Sequence, residues 1–262
     1  MELTVDGKAV FAATGGKPFD PALPAIVFVH GAGMDHTVWV LQTRYFAHRG
    51  RAVLAVDLPG HGRSAGPALD SVGAIADWLV RLIEAAGLES AALTGHSMGA
   101  LAVLDCAARH KDRVRALALL GAAPRMPVHP DLLAAAEAND RRAFELVTDW
   151  GHGRGAHLGG HPAPGLWMLG GGETLLARSA AGVLHSDLAA CNAYDGAGDA
   201  AVQVACPTLV VMGADDRMTP AKAGRQLADA IPSARTALIP GSGHMMMIEA
   251  ADATLDALKT LL

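Results

Sequence analysis

The sequence predicts an α/β protein: a mostly parallel central sheet with helices on both of its faces. Three observations carry this. Short, continuous apolar runs rich in Val, Leu and Ala recur along the 262 residues, as in strands buried on both sides. Between several of them lie longer segments whose apolar residues follow the helical spacing. Strand alternating with helix along a chain is the signature of a parallel sheet covered on both faces.

Residues 2–13 (ELTVDGKAVFAA) read as two short strands turned around Asp6-Gly7, a hairpin signal. AIVFVH (25–30) is the first buried strand and AVLAVD (52–57) the second. Residues 71–87 form an amphipathic helix, with Val72, Ile75, Ala76, Leu79, Leu82, Ile83 and Ala86 on one stripe. Asp77, Arg81 and Glu84 lie off that stripe, and Gly87 supplies a C-terminal stop. SAALTG (90–95) is the next strand, followed by the helical run SMGALAVLDCAARH. VRALALLG (114–121), PTLVVMG (207–213) and the less apolar RTALIP (235–240) complete the strands.

The alternation breaks between about residues 122 and 205. Pro124, Pro127 and Pro130 come first, then helical runs at 131–150 and 173–194 around a loop rich in Gly and His. No apolar β-run interrupts them. This predicts a helical cap, 123–205, inserted into a core made of 1–122 and 206–262. The chain carries no internal repeat.

Composition narrows the function. The formal net charge of −5 gives no basic footprint for nucleic acid or anionic membrane. No run of about 18 apolar residues predicts a membrane span. Cys106, Cys191 and Cys206 lack CxxC spacing and read as reduced packing residues. MELTVDGKAVF lacks the basic and apolar regions of a signal peptide, so a cytoplasmic protein is expected. His152, His157 and His161 share one loop, yet without Cys or an HExxH helix they predict no metal site. No GxxxxGK[ST] and no strand-to-helix GxGxxG is present, so no nucleotide or other cofactor is expected.

The chemistry gathers around TGHSMG (94–99). Ser97 stands between two glycines where a strand meets a helix. It is either an ordinary bend or a nucleophile held up on a sharp elbow. Small neighbours suit a tight, strained turn, and a helix N-terminus directs N–H groups at the reacting atom. A serine nucleophile needs a base, and the base needs an orienting acid. GADDRMTP (213–220) offers Asp215 and Asp216 after one strand, and GSGHMMMIE (241–249) offers His244 after the next.

With these motifs the chain resembles the serine-hydrolase branch of the α/β-hydrolase superfamily, from about residue 24 to the C-terminus. HGAGMDHTVW (30–39) resembles its oxyanion loop, DLPGHGRS (57–64) the turn after the following strand, and GHSMG its elbow. GxxDxxTP and GSGH resemble its acid and base loops. The resemblance implies Asp216 as the acid, rather than Asp215. It implies Ala32 and Met98 as backbone oxyanion donors, Met34 being the weaker candidate. It also implies that His30 and His61 are motif positions, not bases. The activity it implies is carboxylic-ester hydrolysis through an acyl-enzyme, on small to medium, mainly apolar molecules. Monoacylglycerol-type lipases and enol-lactonases share the pattern. An aspartate in place of Ser97 would imply dehalogenase or epoxide-hydrolase chemistry. Carbon–carbon bond hydrolases often carry Asn before the nucleophile and an aromatic after the base, where this chain has His96 and Met245. A ligand-binding member without catalysis usually has a broken triad, and all three members stand here. Trp150, Trp167, Met168 and Met245 are the candidates for substrate contact, with simple packing as their alternative role.

Overall fold

The computed structural model describes residues 1–161, 166–232 and 234–262. The core begins with β1 (Glu2–Val5), β2 (Lys8–Ala13), β3 (Ala25–Val29), α1 (Val40–Ala47), β4 (Ala52–Val56), α2 (Val72–Ala85), β5 (Ala91–His96), α3 (Met98–Arg109) and β6 (Val114–Leu120). Then follow α4 (Pro130–Glu137), α5 (Arg141–Gly151), α6 (Arg154–His157), α7 (Met168–Ala177), α8 (Val183–Ala193) and α9 (Ala197–Gln203). The chain returns through β7 (Thr208–Gly213), α10 (Ala221–Ala230), β8 (Ala234–Ile239), α11 (Met246–Glu249) and α12 (Ala251–Leu258).

The eight strands form one sheet in the order β1-β2-β4-β3-β5-β6-β7-β8. β1 and β2 pair antiparallel through the expected hairpin, where Asp6 and Gly7 both take positive φ, as a type I′ turn requires. From β4 to β8 every pairing is parallel. Alternation along the strands sorts the core into two faces. Val27, Val29, Leu54, Val56 and Leu93 pack with α2, α3, α9 and α10 residues such as Leu79, Leu101, Ala200 and Leu227. Ile26, Phe28, Val53, Ala55 and Ala92 pack instead with Trp39, Phe46, Met246 and Leu258. Helix α2 buries the expected stripe and adds Trp78, and Ser71 caps it by accepting the Ala74 N–H at 3.3 Å.

The strand order also places the site. β4 lies on one side of β3 and β5 on the other. The loops leaving the C-terminal ends of β3 and β5 therefore diverge and open a crevice, which is where ligands settle in sheets of this kind. Helices α4 to α9 fill the stretch between β6 and β7. Helix α9 packs on α3 and α10, whereas α4, α5, α7 and α8 also pack on one another.

Candidate active site

Ser97 sits between β5 and α3 with φ 53° and ψ −118°, a conformation that side chains seldom adopt. Its N–H donates to Leu120 O of β6 at 2.9 Å, and its carbonyl accepts from Ala100 and Leu101. The backbone is thus held by both neighbouring elements, while the hydroxyl makes no capping bond to the helix. The flanking glycines are required by close approach. A methyl on Gly95 would strike the carbonyl of Gly99, and one on Gly99 would strike the carbonyls of Val29 and His30. Met98 is the first residue of α3, so its N–H is among the donors that a helix's own bonding leaves over.

His244 lies between β8 and α11 and is buried. Its Nδ1 faces Asp216 Oδ2 at 2.8 Å. Its Nε2 is buried with no hydrogen-bond partner among the described residues. Asp216 is built to stay ionised. Oδ1 accepts from the N–H groups of Met218 (2.9 Å) and Thr219 (2.8 Å), and Oδ2 from Thr219 Oγ1 (2.6 Å) as well as His244. Burial alone would push its carboxyl up, but His244 and Thr219 outweigh burial and hold it below the usual carboxylate range. Asp215, by contrast, is exposed and lines a different surface depression.

Ser97, His244 and Ala32 line one cavity of about 300 Å³, together with Trp150 and Met245. Its remaining wall is largely apolar, with Leu132, Val147, Leu184 and Leu188. Trp167 and Met168 lie elsewhere, against a second cavity of about 680 Å³ that, among the described residues, shares Met34, Val147 and Met245 with the first.

A family model described as the alpha/beta hydrolase family matches residues 26–257. The chain belongs to the alpha/beta hydrolase family. A Klebsiella pneumoniae protein provisionally named carbamate hydrolase RutD is 31% identical over 88% of each chain. The pimeloyl-[acyl-carrier protein] methyl ester esterase of Chromobacterium violaceum is 31% identical over 84% of this chain and 87% of its own. Among solved structures, the enol-lactonase of Burkholderia xenovorans superposes with a TM-score of 0.88 at 24% identity, covering 99% of this chain and 98% of that one, a likeness of fold.

In this alpha/beta hydrolase the histidines around the site divide by their partners. His30 accepts the Leu58 N–H on Nε2 (3.1 Å), so its proton sits on Nδ1 and is donated to Gly31 O (2.8 Å). Burial, then the charge of His61, pushes its pKa down to about 4, and it braces the loop as a neutral ring. His96 donates from Nε2 to the carbonyl of His244 (3.0 Å), and its ring centre lies 4.7 Å from that of His244 at a tilt of 54°, so it supports the His244 loop. Burial holds His96 well below the ordinary histidine range.

The C-terminal end of α5 also holds the His244 loop. Gly151 O accepts the N–H groups of His244 (2.9 Å) and Met245 (3.1 Å). Glu249 accepts from Gly153 N–H (2.7 Å) on one oxygen and Met245 N–H (3.2 Å) on the other. The bonds from Gly151 and Gly153 could not be read from the sequence, because they join residues far apart in the chain; the bond from Met245 to Glu249 is local. His152 and His157 are engaged with the carbonyls of Thr148 (2.9 Å) and Asp149 (3.2 Å). Among the described residues the group of acids and histidine close enough for a cation is Asp35, His36 and Asp57. Asp35 Oδ1 and both oxygens of Asp57 accept from His36, Thr37 and Arg63 donors, so it reads as a hydrogen-bonded turn. Among the described residues no helix is long and apolar enough to cross a membrane.

Thr219 is one polar residue that sequence reasoning passed over. Its signal was present as a Thr three residues after an Asp, a spacing that closes local side-chain-to-backbone turns. Thr219→Val should lower kcat by about tenfold, since a hydrogen bond to a charged group is lost, while Thr219→Ser stays within about threefold of the parent. Equal rates for Val and the parent would show the hydroxyl to be dispensable.

Proposed function

We propose that this protein is a serine-dependent hydrolase of carboxylic esters, acting through an acyl-enzyme on small to medium, mainly apolar substrates. The observation that carries the reading is the buried, unpartnered Nε2 of His244 in the same cavity as Ser97, with Nδ1 held by an ionised Asp216. A ring so placed accepts a proton at Nε2 while Asp216 steadies the imidazolium.

In the proposed sequence, the Ser97 hydroxyl proton passes to His244 as Oγ attacks the carbonyl carbon. The oxyanion forms against the N–H groups of Ala32 and Met98. Collapse breaks the bond to the alcohol oxygen, which takes the proton from His244, and an acyl-Ser97 ester remains. Water then repeats the sequence and frees the acid.

The cavity of about 300 Å³ and its leucine, valine and tryptophan wall support a compact apolar acyl group. Residues 123–205 act in this reading as the cap, with α9 seated on the core and α4 to α8 forming the roof. Relatives named as carbamate hydrolases support a second reading, because a carbamate carbonyl can be attacked by the same groups. A panel of p-nitrophenyl esters graded by acyl length, with a lactone and a p-nitrophenyl carbamate beside them, tests the choice. The ester reading expects kcat/KM to peak at short to medium chains and to exceed the carbamate. Preference for the carbamate moves the assignment to the second reading, and no turnover of any member overturns both.

A further inference from the structure

Helix α8 lines the cavity with Leu184 and Leu188, yet between them it buries a carboxylate, Asp187, that the site described above does not use. Asp187 Oδ2 accepts two hydrogen bonds, from the Gly33 N–H at 2.8 Å and from His61 Nε2 at 2.8 Å. His61 turns its other nitrogen, Nδ1, to the carbonyl of Pro59 at 3.0 Å. Both ring nitrogens face acceptors, an arrangement that favours the protonated ring. Burial alone would lower its pKa, but the hydrogen bond and charge of Asp187 reverse that and raise it. The second carboxylate oxygen, Oδ1, is buried without a hydrogen-bond partner among the described residues.

Gly33 is the residue after Ala32, whose N–H is the proposed oxyanion donor. The loop is a tight turn: Met34 N–H donates to Gly31 O at 3.2 Å, and Gly33 stands at φ +68°. A positive φ at the third position marks a type II turn, in which the central peptide, Ala32–Gly33, has one set orientation. Gly31 is held by His30 from the core. The Gly33 N–H is held by Asp187, from the helices between β6 and β7.

We infer that Asp187, supported by His61, is a positioning residue for the oxyanion loop. It pins the Ala32–Gly33 peptide, while His30 and the Met34 N–H hold the carbonyl of the Gly31–Ala32 peptide. With the peptides on both sides of its Cα fixed, Ala32 keeps its own N–H, which is on the Gly31–Ala32 peptide, aimed before substrate arrives. The roof over the cavity is then also a buttress of the site, and α8 must be seated for the loop to be set. This inference rests on the ester-hydrolase reading above.

The test is made on the full chain with Asp187→Ala and Asp187→Asn. The readouts are kcat and KM for p-nitrophenyl butyrate and the inhibition constant of an alkyl trifluoromethyl ketone, whose tetrahedral adduct on Ser97 needs the same donors. Loss of a single oxyanion donor costs roughly 10²- to 10³-fold, so loosening one should lower kcat by about 10- to 100-fold in Asp187→Ala. KM should stay within about threefold, and the ketone should weaken by the same factor as kcat/KM. Asp187→Asn should recover part of the loss, because its amide oxygen can accept the Gly33 N–H. Unchanged kinetics, a rise in KM alone, or a fall in kcat with unchanged ketone affinity would each overturn the inference. If the Ala variant does not fold, the Asn variant decides by the same criteria. Ser97→Ala is measured beside them: turnover surviving there overturns the ester-hydrolase reading itself, whatever Asp187 does.

Discussion

Ser97→Ala should abolish ester hydrolysis, with kcat falling by about 10⁶-fold toward a small residual rate. The expectation follows from geometry. Ser97 is the hydroxyl held on a strained elbow at the N-terminus of α3, in the cavity that also holds the free nitrogen of His244. Without Oγ no acyl-enzyme can form, and only donors around the cavity remain to stabilise attack by water. A fluorophosphonate probe should label the parent at Ser97 and leave the variant untouched. Labelling of the variant, or a loss of rate below about tenfold, would move the nucleophile elsewhere.

Asp216→Asn should be the second most damaging change, lowering kcat by about 10⁴-fold with KM little altered. The amide preserves shape, but its NH₂ cannot accept from His244 Nδ1, so the ring is held in the wrong tautomer or not at all. Two backbone N–H groups and Thr219 Oγ1 converge on the native carboxylate, so an amide nitrogen also faces donors there. Asp215→Asn should change kcat by less than about twofold, because Asp215 is exposed and away from His244. The reverse ranking would make Asp215 the acid.

Much of the fold was legible because the core strands are buried on both faces. AIVFV and AVLAV can be little else than parallel strands, and each is fully buried in place. The hairpin was legible for a local reason, since Asp6-Gly7 supplies the positive φ angles its turn needs. The elbow was equally local, because crowding at Gly95 and Gly99 comes from backbone only a few residues away or from the neighbouring strand. The stretch from 122 to 205 was read only as helices. Helix periodicity reports that a face is covered, not what covers it, so Trp150 and Trp167 looked alike in sequence and came to line different cavities.

The sequence by itself determined the strand-helix order, the elbow at Ser97 and the two loops that bring an acid and a histidine to the same end of the sheet. These depend on short-range steric demands and on apolar patterning, which any stretch of chain displays. Only the tertiary structure decided which donors hold Asp216, which side chains wall the cavity, and that Asp187 reaches across 154 residues to the Gly33 N–H. A hydrogen bond between distant segments leaves no period and no turn signal in the sequence. Its partners are chosen by how the sheet twists and how α5 and α8 settle over it, and that packing sets which polar groups are left facing one another without water.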